Sequence, residues 1–178
     1  MNVQSVASIR ALGQADVSQL HSLRLEALMR HPEAFGGDFA REAQMTPDAF
    51  AREFLPSAPG AMFGGFAAGQ LVGMAGLMVP RSANQRHKGR IFAVYVQPLY
   101  RSQRTASRLV DAVIAQARAG RLLTLTVSVT TGNAPAERVY STRGFHPIGI
   151  VRRSLLVGRQ FHDETMMQMD LDQPGDQP

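Results

Sequence analysis

The sequence predicts an α/β fold, in the broad sense that includes α+β, and three observations lead to this prediction. Five of the six residues 91–96 are β-branched or aromatic, as in a buried strand, and Pro98, which cannot donate a ladder hydrogen bond, ends the strand. Residues 123–129 alternate between apolar and polar, which predicts a half-buried strand. Between these strands, apolar residues recur at the spacing of one helix face: Ala106, Leu109, Val110, Val113, Ile114 and Ala117.

Local signals divide the rest of the chain into further strands and helices. A helix that begins at Gln14 or Asp16 ends at His31, because Pro32 disfavours a helical conformation in the residue before it. Thr46, which is followed by a proline, is an N-cap signal for a short helix that ends at residue 54. The other predicted strands are 6–12, 62–67, 71–79, 145–157 and 166–171, the last helix is 134–142, and residues 33–37 and 80–90 are connections.

Length and composition limit the classes of protein to which the chain can belong. With 178 residues and 44% hydrophobic content, we expect a single domain over residues 1–172 and a disordered tail over residues 173–178. The absence of cysteine excludes disulfides, thiolate metal sites and cysteine nucleophiles. The sequence has no membrane-spanning apolar run and no signal-peptide pattern, so we expect a cytoplasmic location and no membrane partner.

The net charge of +5 indicates an anionic partner. The arginines are scattered, no nucleic-acid-binding motif occurs and aromatic residues make up only 7% of the chain, so nucleic acid is not expected as a partner. An anionic cofactor accounts for the charge equally well. The cluster of His162, Asp163 and Glu164 is too short to supply the distributed ligands of a metal site, and no metal is expected.

The loop between the central strand and the following helix is predicted to bind an anion. The free N–H groups of the first helical turn and the positive end of the helix dipole both face such a loop. Arg101 and Arg104 lie in this loop, where we expect them to face phosphate groups.

Two motifs in this half of the chain resemble those of one family. Val96, Pro98, Arg101, Ala106 and Leu109 form the pattern V-x-P-x-x-R-x-x-x-x-A-x-x-L. The second motif runs from Asn133-Ala134 to Tyr140 and ends in Arg143-Gly144-Phe145, with Asn133 and Tyr140 on one helix face because they are seven residues apart. Both resemble the GNAT superfamily of N-acetyltransferases, the first being similar to its acetyl-CoA-binding signature. The family loop usually reads Q/R-x-x-G-x-G/A, and Arg104 stands here in place of the middle glycine.

The resemblance implies a GNAT fold, with a central, mostly antiparallel mixed sheet flanked by helices. It also implies that acetyl-CoA is the cosubstrate and that the acceptor is the amine of a small molecule or a peptide. Dimerisation is common in the family, so a homodimer is compatible with the resemblance. The implied cofactor-binding residues are Val94, Tyr95, Val96, Arg101, Ser102, Gln103, Arg104, Thr105, Ala106, Ser107, Asn133, Ala136 and Tyr140.

The reaction implied by the resemblance is direct attack of a primary amine on the thioester, through a tetrahedral intermediate. Tyr140 is the candidate general acid for the leaving thiolate, and the main-chain N–H of Tyr95 or Val96 is the candidate donor to the oxyanion. The amine must lose a proton before it attacks, since an alkyl ammonium has a pKa of about 10.4. The base stays open among a water relay and four residues: Glu33, His87, Asp163 and Glu164.

Arg104 leaves two functional hypotheses open. Its side chain either points outward and pairs with a phosphate, or fills the space that glycine leaves for the pyrophosphate. The first hypothesis gives an N-acetyltransferase, and the second gives a degenerate domain that acts as a non-catalytic binding or regulatory module. The acceptor is not identified by the sequence, and its pocket is expected around residues 26–39 and near Phe161.

Overall fold

The computed structural model describes residues 8–101 and 103–171. Within these residues the chain forms one seven-stranded sheet in the order β1-β2-β3-β4-β5-β7-β6. Neighbouring strands are antiparallel except for β4 and β5, which are parallel, and this mixed sheet confirms the predicted fold class. The strands are β1 (Ser8–Ala11), β2 (Ala61–Ala67), β3 (Gln70–Met78), β4 (Lys88–Val96), β5 (Thr124–Thr130), β6 (His146–Val157) and β7 (Gln160–Asp170).

Helices cover both faces of the sheet. On one face, α4 buries Leu109, Val110 and Val113 against β3, β4 and β5. On the other face, α1 and α3 bury a second set of apolar side chains that includes Leu20 and Phe50. The helices are α1 (Val17–Arg30), α2 (Phe39–Ala43), α3 (Pro47–Phe54), α4 (Thr105–Ala119) and α5 (Ala134–Ser141).

Side-chain caps fix the start of three of these helices. The side-chain oxygens of Asp38, Thr46 and Asn133 accept hydrogen bonds from main-chain N–H groups in the first turns of α2, α3 and α5. The start of α4 has no such cap, because its N-cap residue is Arg104. The first N–H groups of α4 are therefore left without a side-chain acceptor from the N-cap position.

The structure corrects three parts of the predicted element map. β4 begins at Lys88 rather than at residue 91, because residues Lys88 to Arg90 form the parallel ladder with β5. β7 begins at Gln160 rather than at residue 166, because the polar residues that follow pair with both β5 and β6. The five-residue α2 was not predicted, since it is too short to show apolar periodicity and its buried residue is Glu42.

Three sequence predictions fall partly or wholly outside the described residues. They are the first two residues of the predicted strand 6–12, the cofactor contact of Ser102 and the disordered tail 173–178. In the described part of the chain, no helix is long and apolar enough to cross a membrane.

Candidate functional site

A cavity of about 320 Å³ lies where β4 and β5 separate. The two strands pair only between residues Lys88–Arg90 and Thr124–Thr126, although β4 continues to Val96 and β5 to Thr130. Residues 91–94 and 127–130 therefore form facing walls of the cavity instead of a ladder. An open pair of parallel edges leaves main-chain donors and acceptors available to a ligand that lies between them.

A bulge in β4 marks the centre of this wall. Gly76 pairs with Phe92 and Met74 with Tyr95, so two residues of β4 face the single residue between them in β3. Ala93, one of these two, has a φ of 52°. Because a bulge bends its strand and increases the local twist, it accounts for the separation of β4 from β5 beyond this point.

After the bulge, successive main-chain N–H groups of β4 point alternately to its two edges. The Gln97 N–H donates to the Val72 carbonyl of β3. The residues before it alternate in direction, so the N–H groups of Val94 and Val96 point to the open edge and that of Tyr95 points to β3. Of these residues, Val94 lines the cavity. The alternation thus favours Val94 as the oxyanion donor over Tyr95 and Val96, the two residues named from the sequence.

The side chain of Tyr95 lies on the opposite face of the sheet from α4. Its hydroxyl donates to the Glu26 carboxylate of α1 at 3.0 Å, and the same carboxylate accepts from the side chain of Gln97 at 2.7 Å. Burial, with the hydrogen bond to Glu26 as a second cause, raises the pKa of Tyr95 to about 12. The side chain therefore anchors β4 to α1.

The predicted anion loop surrounds the uncapped start of α4. Arg101 reaches back, with Nε donating to the Val96 carbonyl at 3.0 Å and a terminal nitrogen 3.0 Å from His31 Nε2. Thr105 is buried and its hydroxyl donates to the Tyr100 carbonyl at 3.0 Å. Gln103 has partial exposure, as do Ala106 and Ser107 on the first turn. These contacts hold the loop against the end of β4 and the start of α4.

Arg104 adopts the left-handed backbone conformation, with φ 57° and ψ 18°. Glycine adopts this conformation without strain, whereas other residues pay about 1–2 kcal/mol. Arg104 is exposed rather than buried against the loop. Of the two hypotheses from the sequence, this geometry favours an arginine that points outward.

Asn133 and Tyr140 both line the cavity from α5, as their spacing predicts. Asn133 is the N-cap, and its Oδ1 accepts from the Ala136 N–H at 3.3 Å, while Ala136 itself lines the same wall. The amide oxygen of Asn133 is used by the helix, so the NH₂ group is the part of this side chain that can face a ligand.

Tyr140 is 4% exposed, and its ring packs edge-to-face on Phe145 at 5.6 Å. Its hydroxyl has no hydrogen-bond partner among the described residues, although every fully buried side-chain polar atom in that part of the chain has one. The Tyr140 oxygen must therefore reach the cavity surface. Burial raises the pKa of Tyr140 well above its ordinary value, so the hydroxyl keeps its proton.

Opposite α5, a buried ion pair forms the wall of the cavity. Arg24 Nε and a terminal nitrogen donate to the two carboxylate oxygens of Glu42 at 2.9 and 3.0 Å. The guanidinium lies 5.2 Å from the ring centres of both Phe35 and Phe54. The predicted acceptor segment thus contributes to this wall, and Arg24 and Glu42 are cavity residues that the sequence analysis did not name.

The four candidate bases lie in different places. Glu164 lines the cavity together with Tyr140, and its carboxylate accepts a short hydrogen bond from the Ser154 hydroxyl. Asp163 points the other way and accepts from the Arg153 N–H at 2.8 Å. Glu33 lies 3.4 Å from His31, and His87 lies in a separate cavity near the start of β4. Phe161, named for the acceptor pocket, is 51% exposed and is not part of the cavity wall.

The profile of the Acetyltransferase (GNAT) family matches residues 25–145, which include β4, the anion loop, α4 and α5. Among curated protein sequences, no match was found.

Solved structures share the fold at low sequence identity. An acetyltransferase of the GNAT family from Streptococcus pneumoniae is 21% identical, with a TM-score of 0.81 over 93% of this chain and 99% of the other. The acetyltransferase yncA from Salmonella typhimurium, solved with its cofactor acetyl-CoA, is 20% identical, with a TM-score of 0.77 over 96% and 97%. A phosphinothricin acetyltransferase from Sinorhizobium meliloti, solved in complex with acetyl-CoA, is 14% identical, with a TM-score of 0.82 over 97% and 92%.

Proposed function

Because the chain belongs to the GNAT acetyltransferase family, we propose that it is an N-acetyltransferase that moves the acetyl group of acetyl-CoA to a primary amine. The observation that carries this proposal is the Tyr140 hydroxyl, which has no hydrogen-bond partner among the described residues and reaches the cavity between β4 and β5. A hydroxyl at the cavity surface that has no partner in the described part of the protein can donate its proton to a ligand there.

The described residues fit acetyl-CoA at two points. The open edge of β4 offers the Val94 and Val96 N–H groups to the amide groups of a pantetheine arm. The uncapped start of α4 offers N–H groups and the dipole to a pyrophosphate, with Arg101 and Arg104 nearby as exposed cations. The two points lie on consecutive parts of the chain, so one extended ligand can use both.

The chain's own groups then have distinct tasks. Bound acetyl-CoA supplies the thioester carbon, to which the amine nitrogen bonds, and the thiolate that leaves. The Val94 N–H donates to the carbonyl oxygen as negative charge develops on it. Tyr140 donates its proton to the departing sulfur, and its raised pKa keeps that proton in place until then. Glu164, alone or through a water, accepts one proton of the incoming ammonium, and the second proton that the nitrogen loses on forming the amide returns to Tyr140.

The test combines acetyl-CoA binding with thiol release over a panel of primary amines. We expect the wild type to bind acetyl-CoA in the micromolar range, about −8 kcal/mol. Tyr140→Phe should keep that affinity and lower kcat by about 100-fold with any amine that is acetylated. Tyr100→Phe, which removes a hydroxyl outside the cavity, is the matched control.

Failure of the wild type to bind acetyl-CoA would contradict the proposal and support the non-catalytic module. If acetyl-CoA binds and Tyr140→Phe has an unchanged kcat, the transferase assignment stands and Tyr140 is not its general acid.

A further inference from the structure

A second, larger cavity of about 1410 Å³ lies at the end of the sheet where β4 begins. Its walls come from α3, the connection between β3 and β4, the first residues of β4 and the residue pair that follows α4. We call this cavity the arginine groove, because it is lined by five exposed arginines: Arg52, Arg81, Arg86, Arg90 and Arg121.

The arginine groove carries a net positive charge. Two carboxylates, Asp48 and Glu53, also line it. Glu53 already accepts two hydrogen bonds from Arg41, at 3.1 and 2.5 Å, so it does not neutralise the groove. In the described part of the chain, none of the five groove arginines forms an ion pair. Several guanidinium groups on one concave surface favour an anionic occupant.

The arginine groove adjoins the candidate active site. Glu53, Met78 and Arg90 line both cavities. Arg90 precedes Phe92 by two residues of β4, and residues two apart on a strand share a face at a spacing of about 7 Å. A molecule in the groove therefore lies next to the cavity that contains Tyr140.

We propose that the arginine groove binds the acidic part of a peptide whose primary amine is the acetyl acceptor. The identity of the amine as acceptor rests on the proposed function, whereas binding of the acidic segment does not. Arginine suits this task because its planar guanidinium pairs with a carboxylate through two parallel hydrogen bonds.

Size and lining favour a peptide over other anions. The volume exceeds the range of about 300–1,000 Å³ that is usual for small-molecule sites. The arginines come from four separate parts of the fold, so they match charges spread along an extended chain. Pro56, Pro59 and Met78 add apolar surface, and no Phe, Tyr or Trp lines the groove within the described residues. Single-stranded nucleic acid uses such aromatic side chains as stacking platforms.

The experiment measures binding of three labelled probes to the full chain by fluorescence anisotropy, with and without acetyl-CoA. The first probe is a short peptide with one lysine among glutamates. The second replaces the glutamates with glutamines, and the third is a single-stranded oligonucleotide of the same charge as the acidic peptide. The test variant is Arg81→Gln with Arg86→Gln, and the matched control is Arg152→Gln with Arg159→Gln, two exposed arginines of the β6–β7 hairpin.

We expect the acidic peptide to bind at least about tenfold more tightly than the glutamine peptide and the oligonucleotide. The test variant should raise its Kd about tenfold, and the control variant should change it less than about twofold. In the acetylation assay the test variant should raise KM for the acidic peptide and leave kcat unchanged.

Equal binding of the acidic and glutamine peptides, or equal effects of the two double variants, would overturn the proposal. Tighter binding of the oligonucleotide through Arg81 and Arg86 would overturn the assignment of a peptide. The acetyl-CoA titration separates this inference from the proposed function. If acetyl-CoA binds and the acidic peptide does not, only the groove assignment is wrong. If the acidic peptide binds and acetyl-CoA does not, only the transferase assignment is wrong.

Discussion

Arg24 and Glu42 form a bidentate ion pair that is almost completely removed from solvent, with side-chain exposures of 8% and 1%. The pair joins α1 to the short α2 and forms one wall of the candidate active site. Gly37 passes so close that a Cβ there would lie 2.2 Å from Arg24. The ion pair and the connection that covers it therefore depend on one another.

Glu42→Ala should destabilise the protein by about 3–5 kcal/mol, because it leaves the Arg24 charge buried without a partner. Urea denaturation measures the change in free energy of unfolding. Glu53→Ala breaks the exposed pair with Arg41 and should cost less than about 1 kcal/mol. Similar losses of unfolding free energy in Glu42→Ala and Glu53→Ala would show that burial does not make the Arg24–Glu42 pair more important than an exposed pair.

Gly76→Ala should destabilise the protein by about 1–3 kcal/mol and move Phe92 towards the cavity. The Phe92 ring lies against Gly76, and a Cβ there would come within 2.3 Å of a ring carbon. Thermal unfolding and acetyl-CoA titration report the two effects. Gly149→Ala is the control, since its Cβ would meet no atom within 4 Å, and a loss as large there would remove the steric explanation.

Two variants, Arg104→Gly and Arg104→Ala, separate the effect of backbone strain on stability from the effect of the side-chain charge on acetyl-CoA binding. Both variants remove the guanidinium, which we expect to pair with a phosphate of acetyl-CoA. They should therefore raise the Kd of acetyl-CoA by about 3–10-fold. The glycine variant should be more stable than the alanine variant by about 1 kcal/mol, because the backbone is left-handed. Tighter binding by the glycine variant would instead show that the arginine obstructs the cofactor.

Glu164→Gln should lower kcat by about 100-fold, because the amide cannot accept a proton from the ammonium. Asp163→Asn is the matched control on the neighbouring residue, whose carboxylate bonds the Arg153 main chain instead. An unchanged kcat in Glu164→Gln would favour the water relay as the base.

Asp16→Asn should destabilise the protein near neutral pH and progressively less as the pH falls. The hydrogen bond from Arg10, together with one from the Gly13 N–H, holds the pKa of Asp16 below its usual range. A carboxyl whose pKa is lower in the folded state stabilises the folded protein at pH values above its unfolded-state pKa of about 3.9. This contribution is lost as the pH falls through the folded-state pKa. Urea denaturation between about pH 7 and about pH 3 measures the difference. Arg10→Gln should reproduce the loss, and a difference that does not shrink towards the acidic end would contradict the prediction.

The sequence predicts the parts of the fold whose signals are local. The apolar stripe of α4, the alternation of β5 and the cap at Thr46 each depend on residues within one or two turns of the chain, and the structure confirms all three. The same holds for the shared cavity wall of Asn133 and Tyr140, since helix geometry alone places them on one side.

Elements and contacts that depend on residues far apart in the chain could not be predicted from the sequence and are known only from the tertiary structure. The polar residues at the start of β7 form a strand because β5 and β6 flank them, and no local pattern carries that information. The left-handed backbone of Arg104 is likewise set by the turn into α4, whereas the sequence alone is equally compatible with a right-handed start.

By itself, the sequence determined the fold class, the loop that precedes α4 and the place of the tyrosine on α5, because local residue patterns encode each of them. Only the tertiary structure decided which candidate carboxylate lines the same cavity as Tyr140, that Arg24 and Glu42 are paired in the cavity wall, and that arginines from four parts of the chain line one groove. The physical reason is that charges and cavities depend on distances in space between residues far apart in the chain. Such distances are fixed by packing of the whole sheet and its helices, not by any segment of the sequence.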